Sequence, residues 1–176
     1  MQAVFHYQSP LGGITMAGDE EALTGLWFDG QKYFGRTLDQ AAQTLDLPVF
    51  EQTREWLEEY FRGEIPGSIP PVRLKDTPFR LAVWDILREI PYGTVWTYGE
   101  VARRLAARQG LAHMSAQAVG GAVGHNPVSI LIPCHRVVGA DGSLTGYAGG
   151  VQKKMALLQL EGACTQAAFP QRGTVR

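Results

Sequence analysis

The segment Ile65-Pro66-Gly67-Ser68-Ile69-Pro70-Pro71 constrains the fold more than any other feature of the chain. Proline fixes φ and removes a backbone donor, so neither a helix nor a central strand is expected to continue through this segment. Composition and charge both change just beyond it. We therefore predict two domains, residues 1–71 and 72–176, in a chain long enough to bury a sizeable core.

The two parts of the chain differ in charge. Up to Lys75 there are six basic and eleven acidic residues, a net charge of −5, whereas the remainder has ten basic and six acidic residues, a net charge of +4. The total of −1 hides this difference. A basic second part is compatible with binding a polyanion. Because the excess of basic over acidic residues is modest, we predict weak binding that lets the protein scan along the polyanion instead of holding one site tightly.

The first part has the pattern of a small antiparallel sheet followed by a helix. The β-prone runs at residues 4–7, 14–17 and 23–28 are separated by turn residues, which predicts a hairpin and a third strand. Residues 33–45 are ambiguous, and we predict a helix with a loop there. From Pro48 onward, apolar residues at helical spacing predict an amphipathic helix.

The second part contains three signals for the start of a helix. Thr77-Pro78 predicts an N-cap with proline at the first helical position, and Thr97-Tyr98-Gly99-Glu100 has the spacing of a capping box. Ser115 predicts the cap of a helix over residues 116–124. Two short helices joined by a turn are typical of a helix-turn-helix, although a plain helical hairpin has the same pattern.

The predicted helix over residues 116–124 is built of small residues, including Gly120, Gly121 and Gly124. A glycine in a helix interior costs about 0.5–1 kcal/mol relative to alanine. Close approach of a second backbone is a physical reason to accept that cost. Either another element of the protein or a nucleic-acid backbone is expected against this face.

The reactive side chains of the sequence are concentrated in residues 126–137. The apolar run at residues 128–132 predicts a buried strand or extended segment that ends at Pro133, and Cys134, His135 and Arg136 follow at once. A thiolate forms where positive charge and hydrogen-bond donors surround a shielded sulfur. Cys134 is therefore a candidate nucleophile, although a cysteine with apolar neighbours is more commonly a small core residue.

Several function classes are not indicated. The sequence has no run of about 18 apolar residues and no basic-then-apolar N-terminus. Its two cysteines, Cys134 and Cys164, have no CxxC spacing and do not suggest a disulfide framework. We expect a cytoplasmic monomer without a metal, a cofactor or a membrane partner.

An ordered set of motifs resembles the O6-alkylguanine-DNA alkyltransferases, the methylated-DNA protein-cysteine methyltransferases. The resemblance is close over residues 77–162, and it rests on Asn126-Pro127, Pro133-Cys134-His135-Arg136, Gly146-Tyr147-Ala148-Gly149-Gly150, Leu157-Leu158 and Glu161-Gly162. It implies an α+β fold. The N-terminal domain would be ribonuclease-H-like, with a small antiparallel sheet plus helices. The C-terminal domain would be mostly helical, with a winged-helix-like helix-turn-helix and an active-site loop.

The resemblance also implies a reaction and a partner. The enzyme would repair duplex DNA by direct reversal, moving the alkyl group of O6-alkylguanine irreversibly to Cys134, so that each molecule acts once. O4-alkylthymine is a further candidate substrate. The helix over residues 116–124 would enter the minor groove, with the damaged nucleotide flipped out of the stack.

Individual roles follow from the same resemblance. His135 would act as the general base, with Glu161 orienting it, while Tyr98 would assist the leaving purine. Asn126 would tie the recognition helix to the reactive segment. The remaining candidates for contact with substrate or DNA are Gln117, Ala118, Gly120, Gly121, Arg136, Tyr147, Ala148 and Lys154, among which Arg136 and Lys154 are structural or electrostatic supports. Gln117 stands where many family members have an arginine.

Two other classes of function stay open. A non-enzymatic lesion-binding or regulatory helix-turn-helix protein would use the same groove-binding helix but would need no thiolate, so Cys134 argues against it. A Cys-His hydrolase would turn over repeatedly and would need an oxyanion hole, which no motif here marks.

Overall fold

A computed structural model of the chain describes residues 1–144 and 146–163, which form two compact units. The first unit contains residues 1–75 and also residues 127–131. The second contains residues 76–126 and the described residues from 132 onward. The linear division at residue 71 stays a prediction, and it did not include the return of residues 127–131 to the first unit. No helix in the described part of the chain is long and apolar enough to cross a bilayer.

The first unit is built on a four-stranded sheet, which consists of β1 (Ala3–Ser9), β2 (Gly12–Gly18), β3 (Leu23–Phe28) and β4 (Gln43–Thr44). The order of the strands in the sheet is β3-β2-β1-β4. The first three strands are antiparallel, which confirms the predicted hairpin and third strand, whereas β4 pairs in parallel with β1. Helix α1 (Pro48–Phe61) follows, as predicted.

Alternation along β1 places successive side chains on opposite faces of the sheet. Phe5 stacks on Phe50 of α1, with 6.1 Å between the ring centroids. Its neighbour Val4 belongs to a separate apolar cluster with Trp27 and Leu38. Both faces therefore have apolar contacts at this end of β1, and burying a large apolar side chain contributes about 1.5–3 kcal/mol.

The predicted helix within residues 33–45 is wrong. Residues 32–37 form turns, and the segment ends in the short strand β4. Tyr33 and Gly35 have φ values of 61° and 68°, which a right-handed helix does not accept. This backbone conformation, at a tyrosine, is not visible in the pattern of the sequence.

The second unit contains four helices among its described residues: α2 (Pro78–Leu87), α3 (Tyr98–Arg108), α4 (Ala116–Gly124) and α5 (Val151–Leu160). Strands β5 (Trp96–Thr97) and β6 (Val137–Val138) form a short parallel pair. The three predicted caps are confirmed, because the hydroxyls of Thr77, Thr97 and Ser115 each accept a backbone N–H from the third residue of their helix. Helices α3 and α4 pack together and form the helix-turn-helix pair.

Residues 128–132 are buried, as predicted, but they do not form a strand. Val128 makes one isolated bridge to Leu26 within the first unit, and residues 129–131 turn immediately afterwards. Ile130 has φ 69°, an unusual conformation for a β-branched residue. The chain therefore enters the reactive segment from a tight turn rather than from a regular strand.

Candidate active site

Cys134 is positioned by a turn centred on Pro133. Pro133 has φ −82° and ψ 63°, and the Cys134 N–H donates to the Ile132 carbonyl at 2.8 Å, which is the geometry of an inverse γ-turn. A single 3-10 turn, Cys134–Arg136, follows. The ring of Pro133 restricts the backbone at this turn, which fixes the direction of the Cα–Cβ bond of Cys134. Only 5% of Cys134 is exposed.

Asn126 connects the end of α4 to the sulfur. Its buried side-chain amide donates to Cys134 Sγ at 3.1 Å and to the Ile132 carbonyl at 2.8 Å. A hydrogen bond from a neutral amide favours the thiolate over the thiol. Asn126 thus links the chain just after the end of α4 to Ile132 and Cys134, and its role as a tie between recognition helix and reactive segment stays a prediction.

His135, Arg136 and Glu161 form a buried charged cluster. His135 Nε2 lies 2.6 Å from Glu161 Oε2, while Arg136 Nε and Nη2 donate to the two Glu161 oxygens at 2.8 and 3.1 Å. A third guanidinium nitrogen donates to the Ile90 carbonyl at 2.7 Å. His135 is 0% exposed and Glu161 6% exposed, so these bonds replace water around the carboxylate.

The pKa values of this cluster follow from burial and pairing. Burial acts to raise the pKa of Glu161, but hydrogen bonds from His135 and Arg136 outweigh it and hold that pKa well below its usual range. Burial lowers the pKa of His135 despite the nearby Glu161 carboxylate. A neutral imidazole that donates its Nε2 proton to Glu161 keeps Nδ1 as the basic nitrogen. His135 is therefore arranged as a base.

Burial raises the pKa of the Cys134 thiol, so the thiolate needs help from its surroundings. The Asn126 hydrogen bond, the positive charge of Lys154 and nearby backbone amides act in the opposite direction. Lys154 is 1% exposed, and burial lowers its pKa to about 8 although the charge of Cys134 raises it. An ammonium and a sulfur thus influence each other inside the protein.

Tyr98 completes the set of titratable groups around the sulfur. Burial, together with the charge of Cys134, raises its pKa to about 12, so the phenol keeps its proton at neutral pH. The Lys154 ammonium lies 5.9 Å from the centre of its ring. A Cβ added at Gly146 would lie 3.2 Å from the Tyr98 hydroxyl, and one at Gly120 would lie 3.7 Å from its ring.

The structure separates the predicted DNA-contacting residues into two groups. Gln117, Ala118 and Gly121 are exposed on α4, and Gly120 is half-buried. Tyr147 is buried and Ala148 half-buried in the loop before α5.

Arg136 is different from the other members of that set. It is buried, and all three of its guanidinium nitrogens are bonded to Glu161 or to the Ile90 carbonyl, which fits the role of a structural support. The Ile90 carbonyl was missed by sequence reasoning. Lys154 is likewise buried rather than exposed on the surface of α5. Its spacing of three, four and seven residues to Leu157, Leu158 and Glu161 places it on the same helix face as these residues, which could have indicated its burial from the sequence.

No cluster of three or more His, Cys, Asp or Glu side chains suited to a metal occurs within residues 1–144 and 146–163.

Comparison with protein families gives two matches. Residues 5–70 match the ribonuclease-like domain of 6-O-methylguanine DNA methyltransferase, and residues 78–163 match its DNA binding domain. The methylated-DNA–protein-cysteine methyltransferase of Haemophilus influenzae is 42% identical over 157 residues, covering 89% of this chain and 84% of the relative. The Mycobacterium tuberculosis protein of the same name is 41% identical over 161 residues, covering 90% and 93%.

Solved structures give the same result. The crystal structure of the M. tuberculosis O6-methylguanine methyltransferase matches with a TM-score of 0.79 and 40% identity, covering 94% of this chain and 95% of that one. The M. tuberculosis OGT in complex with DNA matches with a TM-score of 0.79 and 39% identity, covering 92% and 93%.

Proposed function

This chain belongs to the 6-O-methylguanine DNA methyltransferase family, and from that premise we propose that it repairs DNA by moving the alkyl group of O6-alkylguanine to Cys134. The observation that carries the proposal is the sulfur itself. Cys134 Sγ accepts a hydrogen bond from the buried side chain of Asn126. The next residue in the chain, His135, is hydrogen-bonded to the buried carboxylate of Glu161. A cytoplasmic location and action as a monomer stay predictions.

The first step is loss of the thiol proton. His135 accepts it at Nδ1, through a bridging water in the arrangement that the family resemblance implies, while Nε2 stays on Glu161. Glu161 orients the ring and balances the imidazolium charge, and Arg136 holds Glu161 in place. Lys154 and Asn126 stabilise the thiolate that remains.

The second step transfers the alkyl group. A sulfur lone pair forms the new S–C bond as the bond between O6 and the alkyl carbon breaks, and the electron pair of that bond stays on guanine. Tyr98 retains its proton, so its hydroxyl can donate to the purine as negative charge develops. The product is a neutral thioether, which has no proton to lose and cannot be reused as a nucleophile. Each molecule therefore acts once.

Access to the damaged base requires the duplex to come close to α4. The exposed side chains there are small or uncharged, so a backbone can approach α4 closely. We propose that the lesion is flipped into the site, at a cost of a few kcal/mol that is smallest for a weakened pair. The loop of Tyr147 and Ala148 would form one wall around the guanine.

The alternative of a lesion-binding protein without catalysis is not favoured. Such a protein needs the α4 surface but no shielded sulfur, no base and no buried carboxylate. The relatives named above are methyltransferases that cover most of this chain.

Mass spectrometry tests the proposal directly. The full chain is incubated with a duplex that contains one O6-methylguanine, and its cysteine peptides are then analysed. We expect one methyl group on the Cys134 peptide, none on the Cys164 peptide, and never more than one transfer per molecule. An unmodified duplex is the control. Lesion binding without a mass change would favour the non-enzymatic alternative, and repeated turnover would contradict the irreversible reaction.

A further inference from the structure

Helix α3 carries three exposed arginines, and two of them are already paired. Arg104 Nη2 lies 3.0 Å from Glu100, and Arg108 Nη1 lies 2.8 Å from Glu89. Arg103 is also exposed, but no carboxylate among the described residues lies within ion-pair distance of it. Its guanidinium therefore keeps its full capacity to bind an anion from outside the protein.

The Arg103 guanidinium lies next to Gly99 on α3. A Cβ added at Gly99 would lie 3.5 Å from Arg103 Nη1, so the arginine lies back along α3 across a position that has no side chain. Gly99 and Arg103 line a groove of about 470 Å³ together with His113 and Ala116. Ala116 is the first residue of α4, so Arg103 and the start of the recognition helix line the same groove.

The recognition helix itself brings no charge to DNA. No residue of α4 is charged, and Gln117 stands where an arginine would supply one. A protein that binds a duplex nevertheless needs cations against phosphates, and the first helix of a helix-turn-helix crosses the DNA backbone. Arginine suits this contact because its planar group donates two parallel hydrogen bonds to a phosphate.

On the basis of the proposed function, we infer that Arg103 binds a backbone phosphate beside the start of α4 and supplies the cationic contact that Gln117 lacks. This contact orients the duplex and takes no part in the chemistry at Cys134. It should strengthen binding to damaged and undamaged DNA equally.

Salt-dependent binding of the full chain to an unmodified duplex tests this inference. We expect Arg103→Ala to bind about tenfold more weakly at low salt, and the slope of log affinity against log salt to fall by about 1. Arg103→Lys should keep most of the slope. The rate of methyl transfer from free O6-methylguanine base should equal that of the wild type, which shows that fold and active site are intact.

Arg104→Ala is the matched control. It removes the same charge one residue further along α3, from a guanidinium that is paired with Glu100 and lies 3.8 Å from the centre of the Trp96 ring. It should leave affinity and slope nearly unchanged. An unchanged slope for Arg103→Ala, or an equal loss for Arg104→Ala, would overturn the inference.

Two further results separate the possible failures. If Arg103→Ala alters self-association while its salt slope stays at the wild-type value, the surface is a protein contact and the inference is wrong. If the wild type transfers no methyl group from a lesion-containing duplex, the proposed function fails, whatever the arginine variants show with unmodified DNA.

Discussion

The buried cluster around Glu161 is charged and shielded from water, whereas the exposed face of α4 is uncharged and open to water. The cluster holds three ionisable groups out of water, connected by hydrogen bonds of 2.6 to 3.1 Å. The α4 face offers Gln117, Ala118 and Gly121, exposed to solvent and without a charge. Chemistry needs charges that are already oriented, whereas approach to a duplex needs open space. Substitutions in the cluster should therefore lower stability and slow the reaction together, whereas substitutions on the exposed face of α4 should change DNA binding without a loss of stability.

The sharpest separation of the two regions is expected from Cys134→Ser. Serine keeps the shape of the site but does not form an anion at neutral pH, so methyl transfer should fall below detection. Affinity for a lesion-containing duplex should stay close to that of the wild type, because the α4 face is unchanged. Single-turnover transfer from a labelled duplex and a binding titration measure the two quantities. Transfer at the wild-type rate would remove Cys134 from the mechanism.

Glu161→Gln should be the most damaging change to the fold. It leaves Arg136 buried without its carboxylate, so we expect a loss of about 3–5 kcal/mol in the free energy of unfolding. Transfer should slow by about 10²-fold or more, because His135 loses the group that orients it. Urea unfolding and single-turnover kinetics measure both. Glu64→Gln, which breaks an exposed pair with Arg62, is the control and should change neither.

The same cluster predicts how stability depends on pH. The folded-state pKa of Glu161 lies below its ordinary value of 4.5, so its contribution is complete above that pH and is lost as the pH falls further. The pKa of His135 also lies below its ordinary 6.5, so the unfolded state takes up this proton first and stability again falls as the pH falls. Wild-type stability should therefore decline as the pH falls from 6.5 toward 4 and below. A flat profile over this range, measured by urea unfolding, would contradict a buried ionised cluster.

Lys154→Met tests whether the buried charges extend to α5. Burial lowers the pKa of Lys154 from its ordinary 10.5 to about 8, so an apolar side chain of similar volume should raise the free energy of unfolding at pH 7 by up to about 3 kcal/mol. Transfer should slow by about tenfold, because the Cys134 thiolate loses a favourable charge and the thiol pKa rises. The rate should recover at higher pH. Lys153→Met, on the less buried side of α5, is the control; equal rates for both variants would exclude a role for Lys154.

The two regions were not equally predictable from the sequence. The caps at Thr77, Thr97 and Ser115 are local signals, so the helices that build the α4 surface could be placed in advance. Small residues on α4 likewise indicated close approach. Local patterns decided these elements because their hydrogen bonds join residues three positions apart.

The buried cluster depends on contacts that a local pattern does not contain. Glu161 is 26 residues from His135, and the Ile90 carbonyl is 46 residues from Arg136. Only the family resemblance connected Glu161 with His135, and nothing connected Arg136 with Ile90. The left-handed backbone at Tyr33 and Ile130 was equally invisible, which is why a helix and a strand were predicted where turns occur.

Gln117→Arg should change binding on the exposed face without affecting the cluster. A guanidinium added to α4 gains phosphate or base contacts, so affinity for the duplex should rise about fivefold, and the salt slope should steepen by up to about 1. The free energy of unfolding should change by less than about 0.5 kcal/mol, since the position is exposed. Anisotropy titrations with damaged and undamaged duplexes measure the effect. Equal affinity and equal repair rate in the two proteins would show that this position does not contact DNA.

Gly121→Ala should give the smallest effect and the finest test of the α4 face. A Cβ at Gly121 would have no neighbour within 4 Å, so the substitution should raise the free energy of unfolding by about 0.5–1 kcal/mol, measured by thermal unfolding. The same methyl group stands on the surface that a duplex approaches, and DNA binding should weaken by about twofold to fivefold. Gly120→Ala is the matched control, because its Cβ would contact the Tyr98 ring at 3.7 Å instead of open space. If Gly120→Ala weakens binding more than Gly121→Ala, the duplex does not approach α4 on the side where Gly121 is exposed.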